Sequence, residues 1–239
     1  MFKKFFQALR TGDLLNSALK DANEMLVVAE DMFQSVTDLL LYRKPIEFDV
    51  YRQDQEINRM EMEVRKKVME HLSVHPKQDI VACLTLTTMI VSVERLGDYS
   101  KNIYELAQLY PGGFDQASST ESLAKLTAEV MAEFELTIKS IRQEHQPSAM
   151  AVLVKHREIS TACDDIIKQY VEHGAEDASL AVMSVLYSRY LKRTSAHLMN
   201  IASITLNPFD RIGFYPVKGK KAEELESIFG YASDQENDE

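Results

Sequence analysis

The chain contains very few residues that interrupt helices. Its 239 residues include only 8 glycines and 6 prolines, and these cluster at a few places, whereas all-β proteins have turn residues about every ten positions. Between the breaks, apolar residues recur with the period of an amphipathic helix. We therefore predict an all-α fold with helices over residues 17–43, 46–72, 78–109, 117–144, 148–172 and 176–206.

The strongest turn lies between the third and fourth predicted helices. Pro111-Gly112-Gly113 ends one helix, and Ser118 and Ser119 supply hydroxyls that can cap the next. Sparse sequence echoes at a spacing of about 100 residues fit an internal duplication. We predict two antiparallel three-helix bundles with a segment on either side, the four parts being residues 1–16, 17–111, 115–207 and 208–239.

Charge and composition exclude several classes of protein. The net charge of −10 repels polyanions, so nucleic acid is not an expected partner. No apolar run reaches the roughly 18 residues of a membrane span, and Met1 to Phe6 is not followed by the apolar core of an export signal. Cys83 and Cys163 form no C-x-x-C pair, and we interpret both as buried apolar residues. We expect a soluble, cytoplasmic protein.

Carboxylate and amide side chains align on two neighbouring predicted helices. Glu94, Asp98 and Asn102 continue the helical stripe of Leu84, Thr87 and Val91, while a ridge of the second helix carries Asp54, Asn58 and Glu61. Such oxygen ligands suit hard cations, and the residues of the candidate metal site are Glu94, Asp98, Asn102, Asp54, Asn58 and Glu61. Alternatively, the carboxylates lie at the rim of the bundle and are screened by Arg95 and Lys101.

The usual motifs of helical metalloenzymes do not occur in the sequence. None of the six histidines follows a glutamate by three residues, as in di-iron bundles, and neither H-E-x-x-H nor a glycine-rich phosphate loop occurs. We therefore expect a binding protein without catalytic residues. The alternative is a metal-dependent hydrolase or oxidase that uses the same carboxylates.

The segment from Val93 to Ile103, VERLGDYSKNI, resembles the signature of the PhoU family. Asp54 to Asn58 resembles the companion motif of that family, with Asn58 where aspartate is usual. The resemblance implies two three-helix bundles related by a pseudo-twofold axis. It also implies a regulator of phosphate uptake and phosphate-starvation signalling, whose partner is a phosphate transporter component or a sensor histidine kinase.

The resemblance carries further expectations about ligands and assembly. Members of the family can bind metal at the acidic motifs, so a metal ion (iron, zinc or magnesium) is a candidate cofactor here. We expect a homodimer that reaches the membrane only through its partner.

The second half departs from this signature. Lys192 stands at the glutamate position and Ala196 at the aspartate position, while the companion ridge has become His156, Ser160 and Cys163. We predict no acidic metal cluster there, and Lys192 is expected to form an ion pair instead.

The stretch after Pro208 has no helical period but contains Phe209, Ile212, Phe214 and Tyr215. These residues are expected to pack somewhere, either on their own bundle as a cap of the sixth helix or on a second copy or partner. Residues 233–239 are acidic and are predicted to be disordered.

Overall fold

The computed structural model describes residues 13–75, 79–110, 118–174 and 177–215. These ranges contain six α-helices, one short 3-10 helix at Phe209–Arg211 and no strand, which confirms the all-α prediction. The helices are α1 (Asp13–Tyr42), α2 (Val50–Val74), α3 (Ile80–Leu109), α4 (Ser118–Arg142), α5 (Gln146–His173) and α6 (Ala178–Ser203). The predicted turn at Pro111-Gly112-Gly113 and the predicted disorder of 233–239 lie outside the described residues.

Several helix ends differ from the prediction. Helix α1 begins at Asp13, so residues 13–16 belong to the first unit and not to a peripheral segment; Leu15 is fully buried and holds this turn against the core. Helix α2 begins at Val50 and not at residue 46, because Asp49 is its N-cap. The Asp49 carboxylate accepts hydrogen bonds from the backbone N–H groups of Tyr51 (2.9 Å) and Arg52 (3.1 Å). Helix α6 ends at Ser203, and residues 204–206 form turns.

Helices α1, α2 and α3 pack on one another, as do α4, α5 and α6. Lys67 near the end of α2 donates a 2.7 Å hydrogen bond to Ser17 near the start of α1, so these two helices are antiparallel. In the second unit, His156 of α5 lies 2.8 Å from Ser195 of α6, and Tyr170 donates to Ser184 at 3.2 Å. These two contacts likewise make α5 and α6 antiparallel.

The two units meet through corresponding helices, α1 with α4 and α3 with α6. The rings of Phe33 and Phe134 lie 5.3 Å apart, and those of Tyr99 and His197 lie 5.8 Å apart. The members of each pair are separated by about 100 residues, which is the spacing of the sequence echoes. Contact between equivalent residues is the mark of a twofold interface, so a pseudo-twofold axis passes between the units.

Helix α3 is the one helix of the described residues that is long and apolar enough to cross a membrane. Of its most apolar window, 56% is buried inside the protein, which is typical of the core helix of a globular protein. Cys83 of α3 and Cys163 of α5 are both free and buried, as predicted. Helix α3 therefore lies where the two units join, and it also carries the signature residues.

Residues 208–215 fold back on both units: the 3-10 helix contacts α3 of the first unit, and Tyr215 contacts α5 of the second. The hydroxyl of Tyr215 donates a 2.8 Å hydrogen bond to the Leu153 carbonyl of α5, and the Arg157 guanidinium lies 4.8 Å from the centre of the Tyr215 ring. At the end of α6, the Ser203 hydroxyl accepts a 2.8 Å hydrogen bond from the Gly213 N–H. The segment therefore packs on its own chain and caps the end of the sixth helix, which is the first of the two options considered from the sequence.

Candidate functional site

The glycine of the signature segment brings α2 and α3 close together. A Cβ atom on residue 97 would lie 2.8 Å from Cδ1 of Ile57, so the side chain of Ile57 rests on the bare backbone of Gly97. Only glycine allows this approach without displacing the Ile57 side chain. Since Asp54 of α2 also meets Lys101 of α3, the two helices are antiparallel. The polar ridge of α2 therefore lies opposite the polar residues of α3.

Lys101 lies between two of the predicted carboxylates. Its Nζ atom is 2.8 Å from Oδ2 of Asp54 on α2 and 3.1 Å from Oδ1 of Asp98 on α3. The Asp54 side chain is 12% exposed and that of Lys101 is 23% exposed, so this contact is shielded from bulk water. One ammonium thus joins the two helices and neutralises a pair of carboxylates that would otherwise repel each other.

A second cation holds the outer side of the cluster. Arg95 lies 2.8 Å from Asp98 and 3.5 Å from Glu94, and its side chain is 51% exposed. Exposed pairs of this kind contribute little to stability, typically about 0–1 kcal/mol. The guanidinium is therefore accessible to solvent and to other molecules, while it neutralises part of the charge of Glu94 and Asp98.

Glu94 is the least solvated carboxylate on α3. Burial raises the pKa of Glu94 above its ordinary value, the neighbouring Asp98 raises it further, and the Arg95 guanidinium opposes the shift. The charges of Glu61 and Asp54 add to the raised pKa. Glu61 is itself buried and pairs with Arg65 at 2.8 Å. Four carboxylates from two helices thus share one electrostatic environment.

The structure therefore brings together Asp54, Glu61, Glu94 and Asp98. Asn58 lies half-buried between Asp54 and Glu61 on α2, and Asn102 lies half-buried one turn after Asp98 on α3. Leu84 and Val91, which share the predicted stripe, are 45% and 37% exposed, so this face borders solvent and is not part of the core. The contacts match the second interpretation from the sequence, in which Arg95 and Lys101 neutralise carboxylates at the rim of the bundle.

The cluster has the donor chemistry for a hard cation but not the arrangement. Lys101 occupies the space between Asp54 and Asp98. Across the ranges that the structure describes, no three or more His, Cys, Asp or Glu side chains are arranged to hold a metal ion. A metal at this cluster stays a prediction, and its binding requires Lys101 to move away.

The equivalent face of the second unit has a different charge pattern. Lys192 pairs with Asp164 at 2.5 Å, which is the predicted use of that lysine. Nδ1 of His156, at the position corresponding to Asp54, is 2.8 Å from the hydroxyl of Ser195, which corresponds to Gly97. Burial lowers the pKa of His156, and the Lys192 ammonium lowers it further, so the imidazole is neutral at pH 7.

The sequence analysis missed a buried acid in the second unit. Glu133 of α4 is fully buried, and neither carboxyl oxygen has a hydrogen-bond partner among the described residues. Burial raises the pKa of Glu133 well above its ordinary value, against the opposing influence of Ser195 and Lys155. The signal was present, since Glu133 lies three residues after Val130 and four before Thr137, two positions of the buried α4 stripe.

The described residues thus form a helical-bundle protein of two similar three-helix units. The units differ in charge: the first carries the carboxylate cluster around Lys101, and the second carries the Lys192–Asp164 pair at the equivalent face. Residues 22–107 match the family model of the PhoU domain, which confirms the resemblance over the first unit. The matched residues include the signature segment with Glu94, Gly97 and Lys101.

The fold is similar to the crystal structure of PhoU from Pseudomonas aeruginosa. The TM-score is 0.69 at 15% sequence identity, and the match covers 81% of this chain and 95% of that chain. At this identity the likeness concerns the fold. Among curated proteins, none matches this chain significantly.

Proposed function

We propose that this protein is a cytoplasmic regulator of phosphate transport and phosphate-starvation signalling. It acts by binding a phosphate transporter component or a sensor histidine kinase, and it has no catalytic reaction of its own. The observation that carries this proposal is the PhoU domain at residues 22–107. The protein is peripheral to the membrane through its partner, and it works as a homodimer.

The charged cluster is the part of the PhoU domain that we assign to partner recognition. Arg95 is the most exposed member of the ion pairs with Asp98 and Glu94, and it can exchange an internal partner for a carboxylate on another protein. Beneath it, Lys101 and Asp54 keep the two helices in register. Charge complementarity at such a rim raises the association rate and sets specificity more than it raises affinity.

Deletion and complementation in the source organism test the proposal. Without the gene, phosphate uptake or a phosphate-starvation reporter should lose its repression in phosphate-rich medium. The full chain should restore repression and should co-purify with a phosphate transporter subunit or a histidine kinase. Unchanged uptake and an unchanged reporter in the deletion strain would contradict the regulatory function.

Two charge reversals test the assigned surface separately. Arg95→Glu should fail to restore repression although it folds, since its side chain is 51% exposed. Arg59→Glu is the matched control, because Arg59 is an arginine of α2 that is 58% exposed and pairs with Glu56 one turn earlier on the same helix. If both variants restore repression, the cluster does not bind the partner, while the regulatory function stands.

A further inference from the structure

Helix α6 carries basic side chains and no acidic ones. It contains Arg189, Lys192, Arg193 and His197 but neither aspartate nor glutamate, in a chain whose net charge is −10. Among the described residues, Lys192 pairs with Asp164, whereas neither Arg189 nor Arg193 takes part in an ion pair. Both arginines are exposed. Two positive charges that no described carboxylate neutralises therefore lie on the surface of an acidic protein.

Exposed apolar residues continue the line of these arginines towards the start of α6. Val182 is 58% exposed and Leu186 is 37% exposed. At about 3.6 residues per turn, these two residues and both arginines fall within an arc of about 60° on one face of the helix. We call Val182, Leu186, Arg189 and Arg193 the α6 stripe. It is about 16 Å long at about 1.5 Å per residue, and it is apolar at one end and basic at the other.

The basic end of the α6 stripe lies close to Arg95 of the first unit. The ring centre of Tyr99 on α3 lies 5.8 Å from that of His197 and 6.2 Å from that of Tyr190, so α3 and α6 are in contact here. Burial lowers the pKa of His197 to about 4, and the charges of Arg95 and Arg193 both contribute to this shift. The two arginines thus act on the same neutral imidazole, and the α6 stripe borders the surface that we assign to partner recognition.

We propose that the α6 stripe binds a short acidic segment of the partner protein, whose apolar side chains cover Val182 and Leu186 and whose carboxylates pair with Arg189 and Arg193. This inference rests on the proposed function, which supplies the partner. Guanidinium groups bind carboxylates through two parallel hydrogen bonds, and the two arginines lie about 6 Å apart along the helix. Repulsion from distant carboxylates of this protein is screened beyond about 8 Å at physiological ionic strength, so the local positive charge decides.

An acidic peptide fits the α6 stripe better than a nucleic acid or a membrane does. Proteins that bind DNA typically make several phosphate contacts, roughly 6–10, and anionic membranes are bound by clusters of about 4–8 lysines or arginines. The stripe has only Arg189 and Arg193, with Arg95 beside them. Its apolar half would also stay exposed in a complex with phosphates alone. A segment that is apolar at one end and acidic at the other covers both halves.

Fluorescence anisotropy with the full chain tests the inference. The probe is a fluorescein-labelled synthetic peptide in which leucines precede a run of glutamates. The parent protein should bind it, and added salt should weaken the binding because salt screens the ion pairs. Arg193→Glu should raise the dissociation constant about tenfold, since it replaces attraction by repulsion. Arg189→Glu should act in the same way and tests the same surface if Arg193→Glu does not fold.

Two further variants separate the parts of the contact. Leu186→Ser removes an apolar side chain and no charge, so it should raise the dissociation constant about fivefold and leave the salt dependence unchanged. Lys125→Glu is the matched control, because Lys125 is an exposed lysine of α4 and the substitution changes the net charge by the same amount as Arg193→Glu. It should leave the dissociation constant unchanged.

Equal peptide binding by Arg193→Glu and Lys125→Glu would overturn the inference. It would also be overturned if the binding that depends on Arg193 is tighter for a single-stranded oligonucleotide or for anionic lipid vesicles than for the peptide. Self-association that Arg193→Glu abolishes would indicate a second copy as the occupant instead.

The deletion strain distinguishes this inference from the proposed function. There, Arg193→Glu should restore repression less well than Lys125→Glu does, because the partner binds the α6 stripe. If the deletion removes repression and both variants restore it equally, the inference is wrong and the regulatory function stands. If the deletion has no effect on repression, the regulatory function itself is wrong, and the partner that this inference requires is lost with it.

Discussion

Ile57 packs on the backbone of Gly97, so close that a Cβ atom on residue 97 would lie 2.8 Å from Cδ1 of Ile57. Gly97→Ala should therefore displace the Ile57 side chain and lower the free energy of unfolding by about 1 kcal/mol, because the cost of overpacking exceeds the roughly 0.5–1 kcal/mol that alanine contributes through helix propensity. Urea denaturation measures this loss. The double variant Gly97→Ala, Ile57→Val removes the colliding Cδ1 atom, so its loss should be smaller than the sum of the two single losses. Strict additivity would show that the contact does not limit the helix spacing.

Lys101 should stabilise the first unit through its two carboxylates. Lys101→Met removes the ammonium that lies between Asp54 and Asp98, and we expect the free energy of unfolding to fall by about 1–2 kcal/mol because the carboxylates then repel each other in a shielded place. Lys44→Met is the control, since Lys44 pairs with Asp38 through a side chain that is 61% exposed. Equal, negligible losses in the two variants would mean that the cluster is solvated.

If a hard cation binds the protein, it should bind at this cluster and not beside Lys192. Elemental analysis of the purified protein should show loss of metal in the variant with Glu94→Ala and Asp98→Ala. Asp164→Ala, which frees Lys192 in the second unit, should leave the metal content unchanged. Full retention of metal after the first pair of substitutions would exclude the site. Lys101→Met should increase metal content, because it removes the ammonium that competes with a cation for the two carboxylates.

Glu133 should make the stability of the second unit depend on pH. Its pKa is raised well above 4.5 in the folded protein, so folding holds a proton that the unfolded chain releases. This contribution is fully present below the unfolded pKa and is lost as pH rises through the folded pKa. Glu133→Gln should therefore be more stable than the parent protein at pH 8 and should show a flatter pH profile in urea denaturation. Glu135→Gln, an exposed neighbour, should keep the parent profile.

The fold-back of residues 208–215 should contribute directly to stability. Tyr215→Phe removes the 2.8 Å hydrogen bond to the Leu153 carbonyl, and we expect a loss of about 0.5–1.5 kcal/mol in the free energy of unfolding. Phe214→Leu is the control, because Phe214 is 62% exposed. Truncation after Pro208 should lower the melting temperature by more than either substitution. A truncated chain with an unchanged melting temperature would contradict self-capping.

The six helices could be predicted because the helical period of apolar residues is a local property of the sequence. Helix starts were less predictable. The sequence offers two possible starts for α2, after Pro45 or after Asp49, and the structure uses Asp49 as the N-cap. The spacing of the carboxylates predicted that they share one face of each helix. It did not predict their cation: the sequence placed Lys101 near Asp98 but could not show that its ammonium also contacts Asp54 on α2. Such a choice between a lysine and a metal ion depends on tertiary geometry.

The pairing of Phe33 with Phe134 and of Tyr99 with His197 has an evolutionary consequence. Two separate copies of one three-helix ancestor, joined by the same contacts, would have to present identical surfaces on both sides. Fusion into one polypeptide releases that restriction, because each copy of the repeat can then mutate alone. Gly97 and Asp54 on one side could persist while Ser195 and His156 arose on the other. The two halves of the pseudo-symmetric scaffold thereby differ in charge, which two identical copies could not do.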